Sequence, residues 1–558
     1  MPVLQFKGKT AIENYHHTVA HHTLEFDTKL SVLEKGDKPS LEGNLIIEGD
    51  NLLALKALLP THAGKIKCIY IDPPYNTGNE GWVYNDKLNQ PQFKEWIDQT
   101  VGKEGEDATR HDKWCCMMYP RLQLLKELLR DDGAIFISID DTEVAHLRMV
   151  MDEVFGEENF VATIIWHKMD SPKNTAILFS EDHDYIVVYA KSVANWSPNL
   201  IERNEEMKAR YKNPDNDPRG PWLLSDLAAR NPYSQGLYEI KTPSGKIISG
   251  PPAGSYWRVS RDKFDELDRD KRIWWGKGDV RPGIKRFLSE VKEGVVPQTI
   301  WSWQDVGSTR NAKQDLSQLL DKQSGEDIFT TPKPVELLCR IAHISADNDS
   351  IILDSFAGSG TTAHAVLELN KKDGGNRQFI LVQQPFDTKE NEKEKLNICQ
   401  RITAERIRRV LNGYTYTDQK GEKNNVKGLG GSFTYARLGA PLFGEYRDMG
   451  EKLPPYEELA KYIFYTETSH EFDRKGMNEK TGKIGEHAGT SYYLLYTPEG
   501  NHDRPMDLRW LAALDKTEKN RQLVVYCEKI WVHRDDLAKF EAESGRKVRP
   551  MLVPFNLK

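Results

Sequence analysis

The sequence predicts an α/β protein with a doubly wound parallel sheet, an inserted module and a smaller C-terminal α/β extension. Two stretches support the sheet, because residues 44–75 and 351–369 each alternate short apolar strands with a helix. Between Ile201 and Ile300 the alternation stops, and turns rich in proline and glycine replace it. The sheet is therefore expected to be assembled from two separated halves of the chain.

Composition limits the class of protein. The 558 residues are 38% hydrophobic and 29% charged, which suits a globular protein with sizeable cores. No apolar run approaches a membrane span, and the start MPVLQFKGKT lacks a signal core, so we expect a cytoplasmic protein with no membrane partner. The six cysteines contain no Cys-x-x-Cys pair, which agrees with a reducing compartment. With a net charge of −7, any nucleic-acid surface would have to be local.

The first half begins with a strand-helix-strand unit. Residues 44–49 and 65–71 are short apolar runs, and residues 51–59 between them have the composition of a helix. Such a unit makes the two strands parallel, with a right-handed connection. Asp50, at the end of the first strand, has two interpretations: it caps the helix, or it contacts a cofactor at the carboxyl edge of the sheet.

The second strand of this unit stops abruptly. Asp72, Pro73, Pro74 and Tyr75 follow Ile71 at the edge where open α/β sheets place their chemistry. An acid, and a carbonyl whose direction proline fixes, can accept hydrogen bonds from an exocyclic amine, and Tyr75 can stack on the ring that carries the amine. The alternative is a proline turn that only ends a strand. The four residues are the predicted catalytic set.

The remainder of the first half continues the alternation. The predicted elements are a helix over 118–129, a strand over 133–139, a helix over 144–154 and an edge hairpin from 160–166 and 185–189. The polar loop 76–105 precedes them and carries Trp82, Tyr84 and Trp96. This loop is either a lid or base-stacking wall, or a connection that its aromatic rings hold in place.

The alternation resumes after residue 330. Lys333 and Pro334 precede a predicted helix, and the β-branched strand 351–354 leads into a glycine-rich turn and another helix. In this layout backbone N–H groups can approach a ligand closely. The spacing matches neither a phosphate loop nor Gly-x-Gly-x-x-Gly. A further strand over 379–382 ends at Gln383, where a ribose contact is expected.

The middle of the chain has a different composition. Residues 201–300 contain 19 Lys and Arg against 15 Asp and Glu, and four tryptophans lie among them. This composition fits a nucleic-acid reading module, for duplex DNA or for RNA, but equally an inserted domain with a tryptophan core. The candidate DNA contacts are Trp274, Arg281, Lys285 and Arg286.

Two terminal regions complete the organisation. The pairs His16-His17 and His21-His22 lack a Cys or carboxylate partner pattern, so an N-terminal docking segment is favoured over a metal site. The predicted divisions are a docking segment over 1–43, the two halves of the sheet over 44–195 and 329–414, the insert over 196–328 and a C-terminal part over 415–558.

Motifs from both halves resemble a known family. Asp72-Pro73-Pro74-Tyr75 and Phe356-Ala357-Gly358-Ser359-Gly360 are similar to the catalytic and cofactor motifs of amino-methylating DNA methyltransferases that use S-adenosylmethionine. The catalytic motif comes first, with a long insert between, which resembles the β-class order. Four longer stretches resemble in particular the modification (Mod) subunit of type III restriction-modification systems: YHHTVAHHTLEFD, EGDNLLALKAL, IDPPYNTGNEGWVYND and GLGGSFTYARLG.

The resemblance implies a fold, a reaction and a site. The fold is a Rossmann-like methyltransferase sheet in circularly permuted order, and the reaction transfers a methyl group from S-adenosyl-L-methionine to adenine N6 in a short asymmetric DNA sequence, without a metal. Asp72, Pro73 and Tyr75 would hold the target amine. Many relatives carry an acid where this chain has Gln383. The residues implied to bind the cofactor are Asp50, Lys333, Pro334, Asp354, Phe356, Ala357, Gly358, Gly360, Thr361 and Gln383.

Alternatives and partners follow from the same resemblance. The amine clamp would also serve cytosine N4, and a DNA-recognition subunit that binds cofactor without turnover is a further alternative. The implied partners are double-stranded DNA, a second copy of the chain and a restriction subunit with helicase and nuclease activity, because this chain carries no helicase or nuclease signature of its own.

Overall fold

The computed structural model describes most of the chain. The described residues are 4–77, 110–169, 171, 178–276, 278–279, 282–321, 329, 331–386, 388–418, 420–442, 454–498, 504–515 and 518–553. They divide into two compact units, one formed by Met1–Asn199 with Gln298–Lys558 and the other by Leu200–Pro297. The predicted lid and DNA-contact residues that lie outside the described residues are Trp82, Tyr84, Trp96 and Arg281.

The larger unit is organised around one ten-stranded sheet within the described residues. In chain order its strands are β1 His22–Phe26, β2 Leu45–Glu48, β3 Ile66–Ile71, β4 Leu129–Ile139, β5 Phe160–His167, β6 His183–Ala190, β7 Ile300–Ser302, β8 Ile351–Asp354, β9 Gln378–Gln383 and β10 Thr434–Pro441. Across the sheet the order is β1-β10-β2-β9-β8-β3-β4-β6-β5-β7.

The strands from β10 to β4 in that order all run in the same direction. In contrast, β6 is antiparallel to both of its neighbours, and β1 is antiparallel to β10. Strands from the two halves of the sequence are interleaved in the parallel part. The predicted α/β fold, with a doubly wound sheet assembled from two separated halves, is therefore confirmed.

The direction of strand succession reverses between β3 and β8. The chain passes from β3 to β4 on one side of this pair, and from β8 to β9 on the other side. Neighbouring parallel strands whose connections diverge leave a crevice at their carboxyl ends. Asp72 follows β3 directly and Asp354 is the last residue of β8, so the two predicted motifs meet at this crevice.

Helices connect the parallel strands and bury their apolar faces against them. The main ones are α1 Asn51–His62, α2 Arg110–Leu128, α3 Val144–Phe155, α4 Val335–Ser345, α5 Thr361–Asp373 and α6 Glu405–Asn412. Further helical segments of this unit are Lys9–Ile12, Tyr15–Thr18, Trp303–Val306, Thr309–Leu319 and Lys389–Glu394. Leucines of α1 and α2 and the isoleucines of β3 are wholly buried in one core. Each such side chain contributes about 1.5–3 kcal/mol to folding by leaving water. This core supports the strands that end at the crevice.

The smaller unit, Leu200–Pro297, is built from short elements. Its strands are Trp222–Asp226, Ala228–Ala229, Ile240–Lys241, Ile247–Ile248, Tyr256–Trp257, Ile273–Trp274 and Gly283–Phe287, and its helices are Glu205–Ala209 and Arg261–Arg269. Trp222 and Trp257 are buried, so tryptophan does contribute to its core. The unit is shorter than the predicted insert, because β7 joins the large sheet beside β5.

Both ends of the chain belong to the larger unit. The C-terminal part has a four-stranded sheet of Lys483–His487, Thr490–Leu495, Gln522–Cys527 and Lys547–Leu552, with helices Tyr456–Thr468, Leu508–Asp515 and Arg534–Ser544. The Tyr465 hydroxyl donates a hydrogen bond to Glu127 Oε2 over 2.6 Å, which ties this part to α2. At the other end, Lys9 forms a 2.7 Å ion pair with Glu153 of α3. The predicted α/β extension is therefore present.

Two further findings concern the whole described part of the chain. None of its helices combines the length and the apolarity that a membrane span requires. All six cysteines are free thiols, and Cys115 and Cys116 are buried in the core, as a packing role predicts.

Candidate functional site

The carboxyl end of β3 presents an acid with one occupied and one unoccupied oxygen. Lys333 Nζ donates to Asp72 Oδ2 over 2.5 Å. Asp72 Oδ1 is buried and has no hydrogen-bond partner among the described residues. Such an acceptor costs about 1–3 kcal/mol when it stays unpaired. The structure thus orients Asp72 and leaves one of its oxygens available to a donor.

The loop after Asp72 is held by the surrounding helices. Trp114 Nε1 of α2 donates to the carbonyl of Pro74 over 2.8 Å, which fixes the double proline. Tyr75 is buried against the core, and its hydroxyl interacts with the Asp72 carboxylate without the geometry of a good hydrogen bond. Burial, and then the carboxylates of Asp72 and Asp184, hold the pKa of Tyr75 well above its ordinary value. Tyr75 is therefore a neutral aromatic ring beside the acid.

A buried glutamate anchors the residue that follows Tyr75. Asn76 has the left-handed φ of 62°, which is uncommon outside glycine, and its side-chain amide donates to Glu143 Oε1. Glu143 lies just before α3, at the carboxyl end of β4, and burial raises its pKa to about 7. Neither residue was predicted as part of the site. Glu143 could have been, because it follows β4, the strand that pairs with β3.

The glycine-rich turn after β8 is organised by Asp354. Its Oδ1 accepts from the backbone N–H of Phe356 over 3.1 Å, and its Oδ2 accepts from the Thr362 hydroxyl over 2.5 Å. Complete burial raises the pKa of Asp354 to about 7. Gly358 and Gly360 have φ values of 53° and 80°, a region where a side chain is strained. Two glycines are therefore required by the backbone itself.

Gln383 and Thr403 brace this turn from outside. Gln383 Oε1 accepts from the N–H of Gly358 over 2.7 Å, and its amide nitrogen donates to the carbonyl of Gln384. The Thr403 hydroxyl donates to the carbonyl of Gly358 over 2.6 Å. Both ends of the Gln383 amide are engaged within the protein, so this residue braces the turn, and its contact with a ribose stays a prediction.

A buried arginine also supports the turn. Arg406, on α6, donates through Nη1 to the hydroxyls of Thr361 and Ser359 over 2.8 and 3.0 Å. Burial lowers the pKa of Arg406 to about 10, so it remains charged at neutral pH. No local motif predicts this contact, because it joins residues more than forty positions apart.

Two further predicted residues lie where helices begin. Asp50 caps α1, since its Oδ1 accepts from the N–H groups of Leu52 and Leu53 over 2.8 and 3.2 Å. Pro334 is the N-cap of α4, which places the preceding Lys333 within reach of Asp72. The structure thus shows Asp50 as a helix cap, and its contact with a cofactor stays a prediction. Lys333 has a partner that the sequence did not indicate.

The crevice contains further polar atoms without a partner. Ser355 Oγ, after β8, and Gln384 Nε2, after β9, are buried and have no hydrogen-bond partner among the described residues. Together with Asp72 Oδ1 they lie at the carboxyl ends of three neighbouring parallel strands. Buried polar atoms are normally satisfied, so this arrangement suits a ligand that carries several donors and acceptors.

Comparison with known proteins agrees with this geometry. The chain matches the family model described as DNA methylase over residues 66–397, which is more than half of its length. The chain belongs to the DNA methylase family. It is 35% identical over 382 residues to the Mod subunit of the type III restriction-modification enzyme StyLTI from Salmonella typhimurium, covering 66% of this chain and 57% of that protein.

A second Mod subunit and one solved structure are also similar to this chain. The chain is 32% identical over 419 residues to the Mod subunit of EcoP15I from Escherichia coli, covering 66% of this chain and 63% of that protein. The chain therefore spans about three fifths of the length of these Mod subunits. The solved PvuII DNA methyltransferase, titled cytosine-N4-specific, is 11% identical with a TM-score of 0.31, covering 63% of this chain and 87% of that one.

The residues predicted to contact DNA differ in exposure. Lys285 is buried, and its ammonium lies between Asp215 and Asp217, with Asp217 Oδ2 at 3.1 Å. This corrects the expectation that Lys285 contacts a phosphate, because its charge is already neutralised inside the unit. Arg286, the next residue along the strand, is exposed, and Trp274 is half-buried.

Proposed function

We propose that this DNA methylase transfers a methyl group from S-adenosyl-L-methionine to adenine N6 in a short, asymmetric DNA sequence. The proposal rests mainly on Asp72 Oδ1. This buried acceptor has no hydrogen-bond partner among the described residues, and it lies where the strand order reverses between β3 and β8. Family membership supports the reaction class, and Asp-Pro-Pro-Tyr in place of Ser-Pro-Pro-Tyr favours adenine over cytosine N4.

The clamp acts on the nucleophile. The lone pair of an adenine N6 amine is delocalised into the ring, so the nitrogen attacks poorly. Hydrogen bonds accepted by Asp72 Oδ1 and by the Pro73 carbonyl would favour a pyramidal nitrogen whose lone pair points towards the methyl donor. Lys333 keeps the carboxylate oriented during this step. The residues therefore act by orientation and electrostatics, and the chain forms no covalent intermediate.

The polar crevice fits the proposed cofactor. When bound, S-adenosyl-L-methionine supplies an electrophilic methyl group on a sulfonium. The partnerless Ser355 Oγ and Gln384 Nε2 offer hydrogen bonds to its polar groups. The turn residues proposed to shape the cofactor pocket are Asp354, Phe356, Ala357, Gly358, Gly360 and Thr361, with Lys333, Pro334 and Asp50 beside them.

The target base must leave the duplex to reach a buried acid. Tyr75 offers a neutral ring for stacking, which compensates part of the unstacking cost of a few kcal/mol. The insert supplies exposed Arg286 and half-buried Trp274 as proposed DNA contacts. Residues 196–328 would then read the sequence, while the two flanking segments 44–195 and 329–414 perform catalysis.

The biological setting is proposed from the relatives. Those aligned above are named Mod subunits of type III restriction-modification enzymes. By this similarity the chain would act as a modification subunit that pairs with a second copy of itself and with a restriction subunit. Residues 415–558 are proposed for these contacts.

Methyl-acceptor assays test the proposal. The purified chain is incubated with tritiated S-adenosylmethionine and with duplex DNA, single-stranded DNA or RNA, and the labelled base is identified by chromatography. The expected result is N6-methyladenine in duplex DNA. Labelled N4-methylcytosine would overturn the adenine assignment, and cofactor binding without label in any substrate would favour a recognition subunit without turnover.

A further inference from the structure

Three potential metal ligands lie close together beside the loop that follows β3. His111 lies in the first turn of α2, Glu143 directly precedes α3, and His146 lies in the first turn of α3. His111 Nδ1 is 2.7 Å from Glu143 Oε1, and His146 Nδ1 is 2.9 Å from Glu143 Oε2. One ligand atom from each residue lies within 4.8 Å of the others, and this is the one such group found among the described residues.

The second of these contacts is not a hydrogen bond. Glu143 Oε2 and His146 Nδ1 are both buried and lack a hydrogen-bond partner among the described residues, although only 2.9 Å separates them. The distance is short enough for an ion pair with a protonated imidazole, but the geometry is not that of a good hydrogen bond, so the two atoms satisfy each other poorly. A cation that both of them ligate would remove the cost of burying them unpaired.

The donor set matches a transition metal. Two imidazole nitrogens and a carboxylate oxygen are typical zinc ligands, at bond lengths of about 2.0–2.2 Å, and a water molecule can complete the tetrahedron. Glu143 is completely buried, whereas the side chains of His111 and His146 are 32% and 36% exposed. The cluster is therefore shielded on the protein side and accessible from solvent.

We propose that His111, Glu143 and His146 bind one divalent transition-metal ion, of which zinc is the best match. The ion would hold the loop after β3 in place, since none of its three ligands is Asp72, the proposed target acid. Because Glu143 also accepts from the Asn76 amide, the ion would fix the backbone directly after Tyr75. This inference does not depend on methyl transfer, so its test uses metal binding alone.

The test is zinc binding by the full-length chain after treatment with a chelator. Isothermal titration with zinc chloride should give one site per chain. His111→Gln and His146→Gln should each weaken binding by at least about 100-fold. The matched control is His470→Gln, because His470 lies 3.9 Å from His487, ring to ring, and so probes a histidine pair elsewhere in the chain. This control should bind zinc like the unmodified chain.

Spectroscopy keeps the test independent of variant folding. Cobalt(II) added to the unmodified chain should give the strong visible absorption of a tetrahedral site, and X-ray absorption of the zinc form should show two imidazoles. Absence of stoichiometric zinc binding by the unmodified chain would overturn the proposal. So would zinc binding unchanged in both His111→Gln and His146→Gln, or a zinc spectrum without imidazole ligands.

Discussion

Buried polar groups are treated differently in the two units of this protein. Within the described residues of Leu200–Pro297, no buried side-chain nitrogen or oxygen lacks a partner, and even Lys285 is enclosed by two aspartates. In the larger unit, twelve such atoms have no partner among the described residues, and they include Asp72 Oδ1, Ser355 Oγ and Gln384 Nε2. All three follow neighbouring strands of the parallel sheet.

The difference separates groups that stabilise the fold from groups that await a ligand. A buried charge inside the insert is tolerated only because its counter-charges are present, and removing one partner leaves the other charge buried and poorly compensated. An unpaired acceptor at the sheet edge destabilises the fold by about 1–3 kcal/mol until a donor reaches it. Substitutions at the two kinds of position should therefore affect different measurements.

The largest expected effect is on activity at the sheet edge. Asp72→Ala removes the acceptor for the target amine and should lower the methylation rate by about 10³-fold, with nearly unchanged cofactor affinity. Radioactive methyl transfer and calorimetry measure the two quantities. Asp141→Ala, an exposed acid that follows the neighbouring strand β4, is the matched control and should remain active. Equal turnover by the Asp72 variant would refute the clamp.

The next effect is on the stability of the insert. Lys285→Ala removes the ion pair of Asp215 and one of the two cations on the buried Asp217, which keeps Arg219 at 2.9 Å, and should lower the free energy of unfolding of this unit by about 1–3 kcal/mol. Limited proteolysis and chemical denaturation of the full chain measure the loss. Arg286→Ala, one residue further, should leave stability unchanged. If both variants are equally stable, the structural role of Lys285 is wrong.

A third effect concerns the glycine turn. Gly358→Val places a branched side chain at a φ of 53°, where its Cβ would lie 2.9 Å from Phe329 Cζ. The displaced turn should lower cofactor affinity by at least about tenfold, by calorimetry. Gly374→Val carries similar backbone strain at a φ of 72° but meets no atom within 4 Å, so it is the matched control. If both variants lost cofactor affinity equally, backbone strain would explain the loss, and the contact with Phe329 would not.

A fourth prediction concerns pH. Burial raises the pKa of Asp354 to about 7, above the value of about 3.9 expected in the unfolded chain. The folded state therefore holds the proton more tightly, and the stability from this group is complete below about pH 4 and lost as the pH rises to 7. Asp354→Asn should remove this dependence. Denaturation at pH 5 and pH 8 should show a smaller loss for the variant, whereas parallel losses would contradict the assignment.

The smallest expected effect is on DNA binding. Arg286→Ala removes one exposed cation and should weaken binding to all DNA sequences by a similar factor, while reducing the slope of log affinity against log salt by about 1. Fluorescence anisotropy at several salt concentrations measures both. An unchanged slope would mean that Arg286 does not contact a phosphate.

The sequence predicted the edge of the sheet well, because the signals there are local. The run 65–71 and the double proline placed the end of β3 correctly, and the β-branched run 351–354 coincides with β8. The parallel direction of β2 and β3 followed from the strand-helix-strand pattern, whereas the pairing of β3 with β8 is a finding of the structure. Local strand endings and glycine turns are therefore sufficient to locate the crevice.

Contacts between distant parts of the chain could not be predicted in this way. Arg406, Thr403 and Gln383 brace the glycine turn through side chains that no local pattern marks. Lys285 could not be predicted either. It lies on the same side of its strand as the buried Phe287, but Ile284, on the side of Arg286, is buried too, so a period of two does not distinguish the faces.

The role of Asp72 in methyl transfer is tested most directly by single-molecule sequencing of the genome of a methylation-free host that expresses either this chain or its Asp72→Ala variant. We expect N6-methyladenine on one strand of one short non-palindromic sequence in cells with the unmodified chain, and none in cells with the variant. The same modified sequence in both would contradict the assignment of Asp72 as the acid that receives the target amine.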